Sequence, residues 1–201
     1  MNNNDAAASF TFEVFSDICG AMTDLLFERF SGIDYLQSGT KTQKKAFHVL
    51  SENNVMEKLN AYSPILAGTV PLDIDIDGSD LDIICCFNDI GHFEVTVKKH
   101  FSGEAGFRCR RAVFSGFETF IANFNLQGTP VEVFGQNQAV SAQNAVRHMF
   151  AEYLILEKLG SAFKAEIRRL KTMGIKTEAA FAKLLGIEGD PYVELLNYSL
   201  G

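Results

Sequence analysis

The sequence predicts an α+β fold: a small mixed β-sheet core flanked by helices, with a helical C-terminal part. Three observations carry this expectation. Short apolar segments with strand character occupy the middle of the chain, at 64–68, 80–87 and 118–134. From Ser141 onward apolar residues recur at helical spacing, punctuated by glycines. Strands come first and helices after, with no regular strand–helix alternation, which favours α+β over a wound parallel sheet.

The elements follow in order. Residues 1–8 read as a disordered lead-in. Phe15, Ile18, Met22, Leu25, Leu26 and Phe30 predict a helix over 10–30. Gly32 to Gly39 is a break, and a second helix is expected over 40–60, with Phe47, Leu50 and Val55 on its apolar side. A short buried strand at 64–68 and another at 80–87 are joined by a turn or hairpin through Val70 and Ser79. Asn88 or Asp89 suits the cap of a helix reaching about His100. Residues 108–115 read as extended. Residues 118–126 and 131–134, separated by Gln127-Gly128-Thr129, predict a β-hairpin. Helices are expected at 141–159, 161–173, 177–186 and 190–198, with Gly160, Gly174, Gly186 and Gly189 at their ends. The chain divides into an N-terminal extension with a helix (1–33), an α/β core (34–140) and a helical part packed on it (141–201).

Composition bounds the function. The chain has 201 residues and a net charge of −7, which argues against broad adhesion to nucleic acid and makes long nucleic acid an unattractive partner. No apolar run approaches the ~20 residues that span a bilayer. The start, Met1-Asn2-Asn3-Asn4-Asp5, lacks the basic opening of a signal peptide, so the chain reads as cytoplasmic. Cys19, Cys85, Cys86 and Cys109 show no metal-ligand or redox spacing and read as reduced thiols.

The most informative stretch is Asp80-Leu81-Asp82 followed by Ile83-Ile84-Cys85-Cys86-Phe87. On a strand, residues two apart share a face, roughly 6.6 Å apart. Two carboxylates at the mouth of an apolar strand repel each other and lose hydration, and a divalent cation compensates both penalties. The bland alternative is a loop-end pair with no metal. Upstream, the small pair Gly68-Thr69 can bring backbone N–H groups to a phosphate. A third carboxylate on a neighbouring strand would complete the set. The hairpin offers Glu132, flanked by Val131, Val133 and Phe134; strands about 4.8 Å apart would let the three converge. Hard oxygen ligands suit Mg²⁺ or Mn²⁺.

Gly68-Thr69, ten residues, then Asp80-Leu81-Asp82-Ile83 resembles the signature of the nucleotidyltransferase superfamily, which has the DNA polymerase β-like fold. The stretch 65–87 is most similar to an uncharacterised bacterial nucleotidyltransferase-like family. Val131–Gln136, Gln143–Met149 and Lys176–Gly186 extend the likeness, which covers about 34–198. The resemblance implies an NTP substrate, Gly68 and Thr69 on its phosphates, and Asp80, Asp82 and Glu132 as catalytic metal ligands. It implies transfer of a nucleoside monophosphate to a hydroxyl-type acceptor, or a nucleotide- or protein-binding module that keeps the fold without the chemistry.

Other residues carry two readings. Ser79, beside the aspartates, caps or hydrogen-bonds the loop and could touch nucleotide. Arg147 and His148 reach a triphosphate or base, or are a surface Arg and a packed His. Lys164, Arg168 and Lys171 form one helical stripe, which faces an anionic substrate or is a solvated face. Thr177 reads as a helix cap and Lys176 as a phosphate contact. Asp73-x-Asp75-x-Asp77-Gly78 imitates a calcium loop, but Ile84 stands where its bidentate Glu should be, so it reads as a solvated acidic edge. His48, His92 and His100 read as packing or surface residues.

Overall fold

The structure, a computed structural model, describes residues 22–198. Among these, five strands form one sheet in the order β1-β2-β5-β4-β3. They are β1 (Ile65–Ala67), β2 (Leu81–Cys86), β3 (Ala105–Phe114), β4 (Phe117–Leu126) and β5 (Thr129–Gln136). β2 and β5 run parallel, and the other neighbouring pairs are antiparallel. The helices are α1 (22–30), α2 (Lys41–Glu52), α3 (Val55–Lys58), α4 (Ile90–Phe101), α5 (Asn144–Thr172), α6 (Thr177–Leu185) and α7 (Pro191–Asn197). This is the expected α+β plan with a mixed sheet.

Strand alternation sorts the core onto two faces of the sheet. Leu81, Ile83 and Cys85 of β2, with Val131 and Val133 of β5, join a cluster with Val49 and Leu50 of α2 and Phe93, Val97 and Phe101 of α4. Ile65, Ala67 and Ile84 point the other way, into a second cluster. That cluster holds Leu26 and Phe30 of α1, Met149 and Ile155 of α5, Phe181 of α6 and Leu195 of α7. Asp82 and Glu132, each two residues before Ile84 and Phe134, therefore share the face covered by α5–α7.

Several boundaries differ from expectation, each for a local reason. The helix expected over 40–60 breaks at Asn53-Asn54, where Asn54 takes a left-handed conformation (φ 50°). α2 starts with a full capping box, in which Thr40 and Gln43 serve each other's backbone N–H. The hairpin turn is two residues, Gln127-Gly128 (φ 51° and 80°), because Thr129 already pairs with Leu126. Ser115-Gly116 (φ 52° and 84°) makes a second such turn, so residues 108–115 belong to a long hairpin. The helices expected at 141–159 and 161–173 do meet at Gly160, a non-helical kink (φ 74°, ψ −166°) that divides α5 into two helical halves. Thr177 is not a cap: it is the first residue of α6, and Lys176 holds the cap position without a side-chain bond. Residues 1–8, and the first part of the helix expected over 10–30, lie outside the described residues. Among the described residues, no helix is long and apolar enough to cross a membrane.

Candidate active site

β1 ends at Ala67, directly opposite Asp82 in antiparallel register. The chain then turns through Gly68 (φ +81°), and a Cβ there would lie 2.4 Å from Asp82 Oδ2. Only glycine satisfies both the left-handed turn and this close carboxylate. On its other side, Asp82 pairs with Glu132 in the parallel β2–β5 register. Glu132 is oriented in turn by its β4 neighbour: Asn123 Nδ2 donates to Glu132 Oε2 at 2.7 Å. Asp80 is exposed, one residue before β2.

The electrostatics follow from this crowding. Burial, then the charges of Asp80 and Glu132, push the Asp82 carboxyl up to about 7, against a smaller opposing pull from Lys171. The convergence of three carboxylates is thus half formed: Asp82 and Glu132 are register neighbours, while Asp80 stands at the rim. Among the described residues no group of three or more His, Cys, Asp or Glu is assembled as a metal-ligand set. The donor chemistry still fits a hard divalent cation, because the carboxylates stand crowded and incompletely compensated.

These residues form the sheet wall of a cleft of about 860 Å³. Gly68, Thr69, Ser79, Asp80, Asp82 and Glu132 line that wall. Ser79 ties its loop, its Oγ accepting from Ile76 N–H at 3.0 Å. Arg147, His148, Lys171 and Lys176 line the opposite, helical wall of the same cleft, whereas Lys164 and Arg168 do not line it. Phe114 and Phe117, flanking the hairpin turn, form an exposed aromatic rim.

The helical wall is built differently. Arg147 is exposed and donates to Asn144 Oδ1 at 3.3 Å. His148 is only 6% exposed, its ring edge-on to Tyr192 at 6.1 Å, and its Nδ1 has no hydrogen-bond partner. Burial, first among several influences, lowers the His148 pKa. Lys171 is buried, and its Nζ donates to Ile74 O at 2.8 Å.

The stripe of Lys164, Arg168 and Lys171 is therefore not a plain solvated face. The loop after Thr69 buries Leu72 and Ile74 against the second half of α5, which brings the acidic segment to these cations. Arg168 pairs with Asp73 Oδ1 at 2.5 Å and also donates to the Asp73 carbonyl. The acidic edge is solvated only at Asp77; Asp73 and Asp75 are half-buried. Among the histidines, His92 Nδ1 meets Tyr62 Oη at 3.0 Å, a packing role.

Sequence reasoning missed Glu152, Glu178, Tyr192 and Asn123. Glu152 (4% exposed) and Glu178 line the helical wall. Burial, then Glu178, hold the Glu152 carboxyl well above the usual range, with Lys171 opposing. One signal was present: Glu152 stands four residues after His148, on the same helical face, amid apolar neighbours. Asn123 is identifiable only once the β4–β5 register is known.

No curated protein matches the chain. Solved structures with a similar course include the Cid1 poly(U) polymerase bound to magnesium 3′-dATP, at 10% identity and TM-score 0.49, covering 79% of this chain and 48% of that one. The GLD-2/RNP-8 complex matches at 11% identity and TM-score 0.48, covering 72% of this chain and 57% of that one. The polymerase core of TRAMP matches at 10% identity and TM-score 0.46, covering 79% and 49%. The chain spans about half the length of these solved chains, and so loose a likeness transfers no residue roles. The family model described as "Domain of unknown function (DUF4269)" matches residues 48–198, which is 151 of 201 residues, and the chain belongs to that family.

Proposed function

We propose that the protein is a metal-dependent nucleotidyltransferase, moving a nucleoside monophosphate from an NTP to a small hydroxyl-bearing acceptor with release of pyrophosphate. The observation that carries this reading is the register pairing of Asp82 with Glu132, with Gly68 packed against the Asp82 carboxylate. Asp80, Asp82 and Glu132 would hold Mg²⁺ or Mn²⁺. Such an ion neutralises triphosphate charge and stabilises the leaving pyrophosphate. Asn123 fixes the Glu132 carboxylate. The Gly68-Thr69 turn meets phosphates through backbone N–H groups and a hydroxyl, and Ser79 holds the loop beside them. Arg147 and Lys171 supply positive charge from the other wall, and His148 a ring against the nucleotide. The reading places the protein in the cytoplasm, where NTPs are abundant, with 34–140 as the nucleotidyltransferase-like core and 141–201 as its helical cover.

The test is incubation with each NTP and Mg²⁺ or Mn²⁺, following pyrophosphate and labelled self-modification. Release by the native protein and none by Asp82→Asn is the expected result. Nucleotide binding with no release, across a range of acceptors, would favour a module of the same fold without the chemistry. That second reading draws on the half-formed carboxylate set, which lacks a preassembled third member among the described residues.

A further inference from the structure

The helical wall carries acids that phosphate binding leaves unused. Glu152 on α5 is 4% exposed, and Glu178 sits in the first turn of α6, half-buried; both line the cleft. Among the described residues, neither carboxylate makes an ion pair or hydrogen bond. Lys171, whose charge reaches both, gives its ammonium to the Ile74 carbonyl instead. Two carboxylates that share one ammonium, itself engaged with a carbonyl, still repel each other.

His148 is an independent observation at the same place. Its ring is 6% exposed and lines the cleft, and Nδ1 lacks a partner. A buried polar atom left unpaired is destabilising, and a ligand donor would satisfy it. Because burial disfavours the charged imidazolium, the ring is suited to accept a hydrogen bond from a ligand.

We propose that Glu152, Glu178 and His148 form a subsite for a small hydroxylated amine, its ammonium against the two carboxylates and an N–H or O–H donating to His148 Nδ1. On the transferase reading, this amine is the acceptor, with its hydroxyl turned toward the carboxylates of β2 and β5. A neutral polyol would leave both glutamates uncompensated, and an anion would worsen their repulsion. A protonated amine relieves the Glu152–Glu178 repulsion and satisfies the histidine together.

The experiment is titration calorimetry with glucosamine and with glucose, which differ by one amine, in the absence of nucleotide and metal. The native protein should bind glucosamine roughly tenfold or more tightly than glucose, since charge-assisted hydrogen bonds to buried carboxylates separate them. Glu178→Gln should lose that preference, with Glu152→Gln as a second variant should the first fail to fold. Asp82→Asn should keep it. Equal or undetectable binding of the two sugars, or a preference that survives both glutamine variants, overturns the subsite. No preference in the native protein alongside intact pyrophosphate release removes the subsite alone. A clear amine preference with no release from any NTP supports the subsite and removes only the transferase reading.

Discussion

The two walls of the cleft are made by opposite strategies. On the sheet wall, functional groups sit on neighbouring strands whose hydrogen-bonded register fixes them: Ala67 opposite Asp82, Asp82 opposite Glu132, Glu132 opposite Asn123. On the helical wall, Arg147, His148, Glu152, Lys171, Glu178 and Tyr192 come from three helices, and Gly160 interrupts the longest of them. A strand ladder places carboxyls rigidly even where burial, and then the neighbouring charges of Asp80 and Glu132, raise the Asp82 carboxyl. The helices instead bury charge and compensate it piecemeal, through Lys171 to a carbonyl and Arg168 to Asp73.

The comparison is broken most severely on the sheet side. Asp82→Asn should cut pyrophosphate release roughly a thousandfold or more, the scale of losing a principal transition-state charge contact, while circular dichroism stays native. A variant that keeps near-native turnover would remove the sheet wall from the chemistry. Gly68→Ala should come next. Its methyl would press on the Asp82 carboxylate and its backbone would be strained, so turnover should fall about ten- to a hundredfold, with ~1–3 kcal/mol of stability lost.

On the helical side the expected effects are on stability. Lys171→Met removes the bond to Ile74 and the main cation near Glu152, and chemical denaturation should show a loss of ~1–3 kcal/mol. The walls should also differ in pH response. Asp82 has its folded-state pKa raised to about 7. Its contribution to metal-free stability is therefore fully present below the unfolded carboxylate value, about 3.9, and is lost as pH rises through 7. Melting temperature measured in chelator should drop over that window, by ~1–3 kcal/mol in stability terms, and Asp82→Asn should flatten the drop. The smallest change is Arg168→Ala. Its pair with Asp73 is part-exposed, so denaturation should register ~1 kcal/mol or less.

Legibility in the sequence divided along the same line. Asp82 was readable because an apolar run announced the strand that carries it, while Asp80, read as its strand partner, stands one residue before β2 at the rim. Glu132 was nameable because its hairpin advertised itself through Gln127-Gly128. The helical wall was only partly readable. A polar residue on a helix looks the same whether it meets water or a cleft, so the Lys164–Lys171 stripe carried both a substrate-facing and a solvated reading, and Glu152 went unnoticed. What decides between those outcomes is the loop through Leu72 and Ile74, which lies about a hundred residues upstream of Lys171 and buries it. Likewise, Asn54 broke a helix whose apolar spacing continued smoothly past it, because one left-handed residue outweighs periodicity.

Gln43 does two jobs at once. Its Oε1 accepts from Thr40 N–H, completing the start of α2, while its Nε2 donates to the carbonyls of Val70 and Pro71. The same amide thus fastens the floor of the glycine turn to a helix nearly thirty residues earlier. Thermal fraying at that helix start would reach the Gly68-Thr69 edge of the cleft directly, so the temperature at which α2 loosens sets a ceiling on where the cleft keeps its shape.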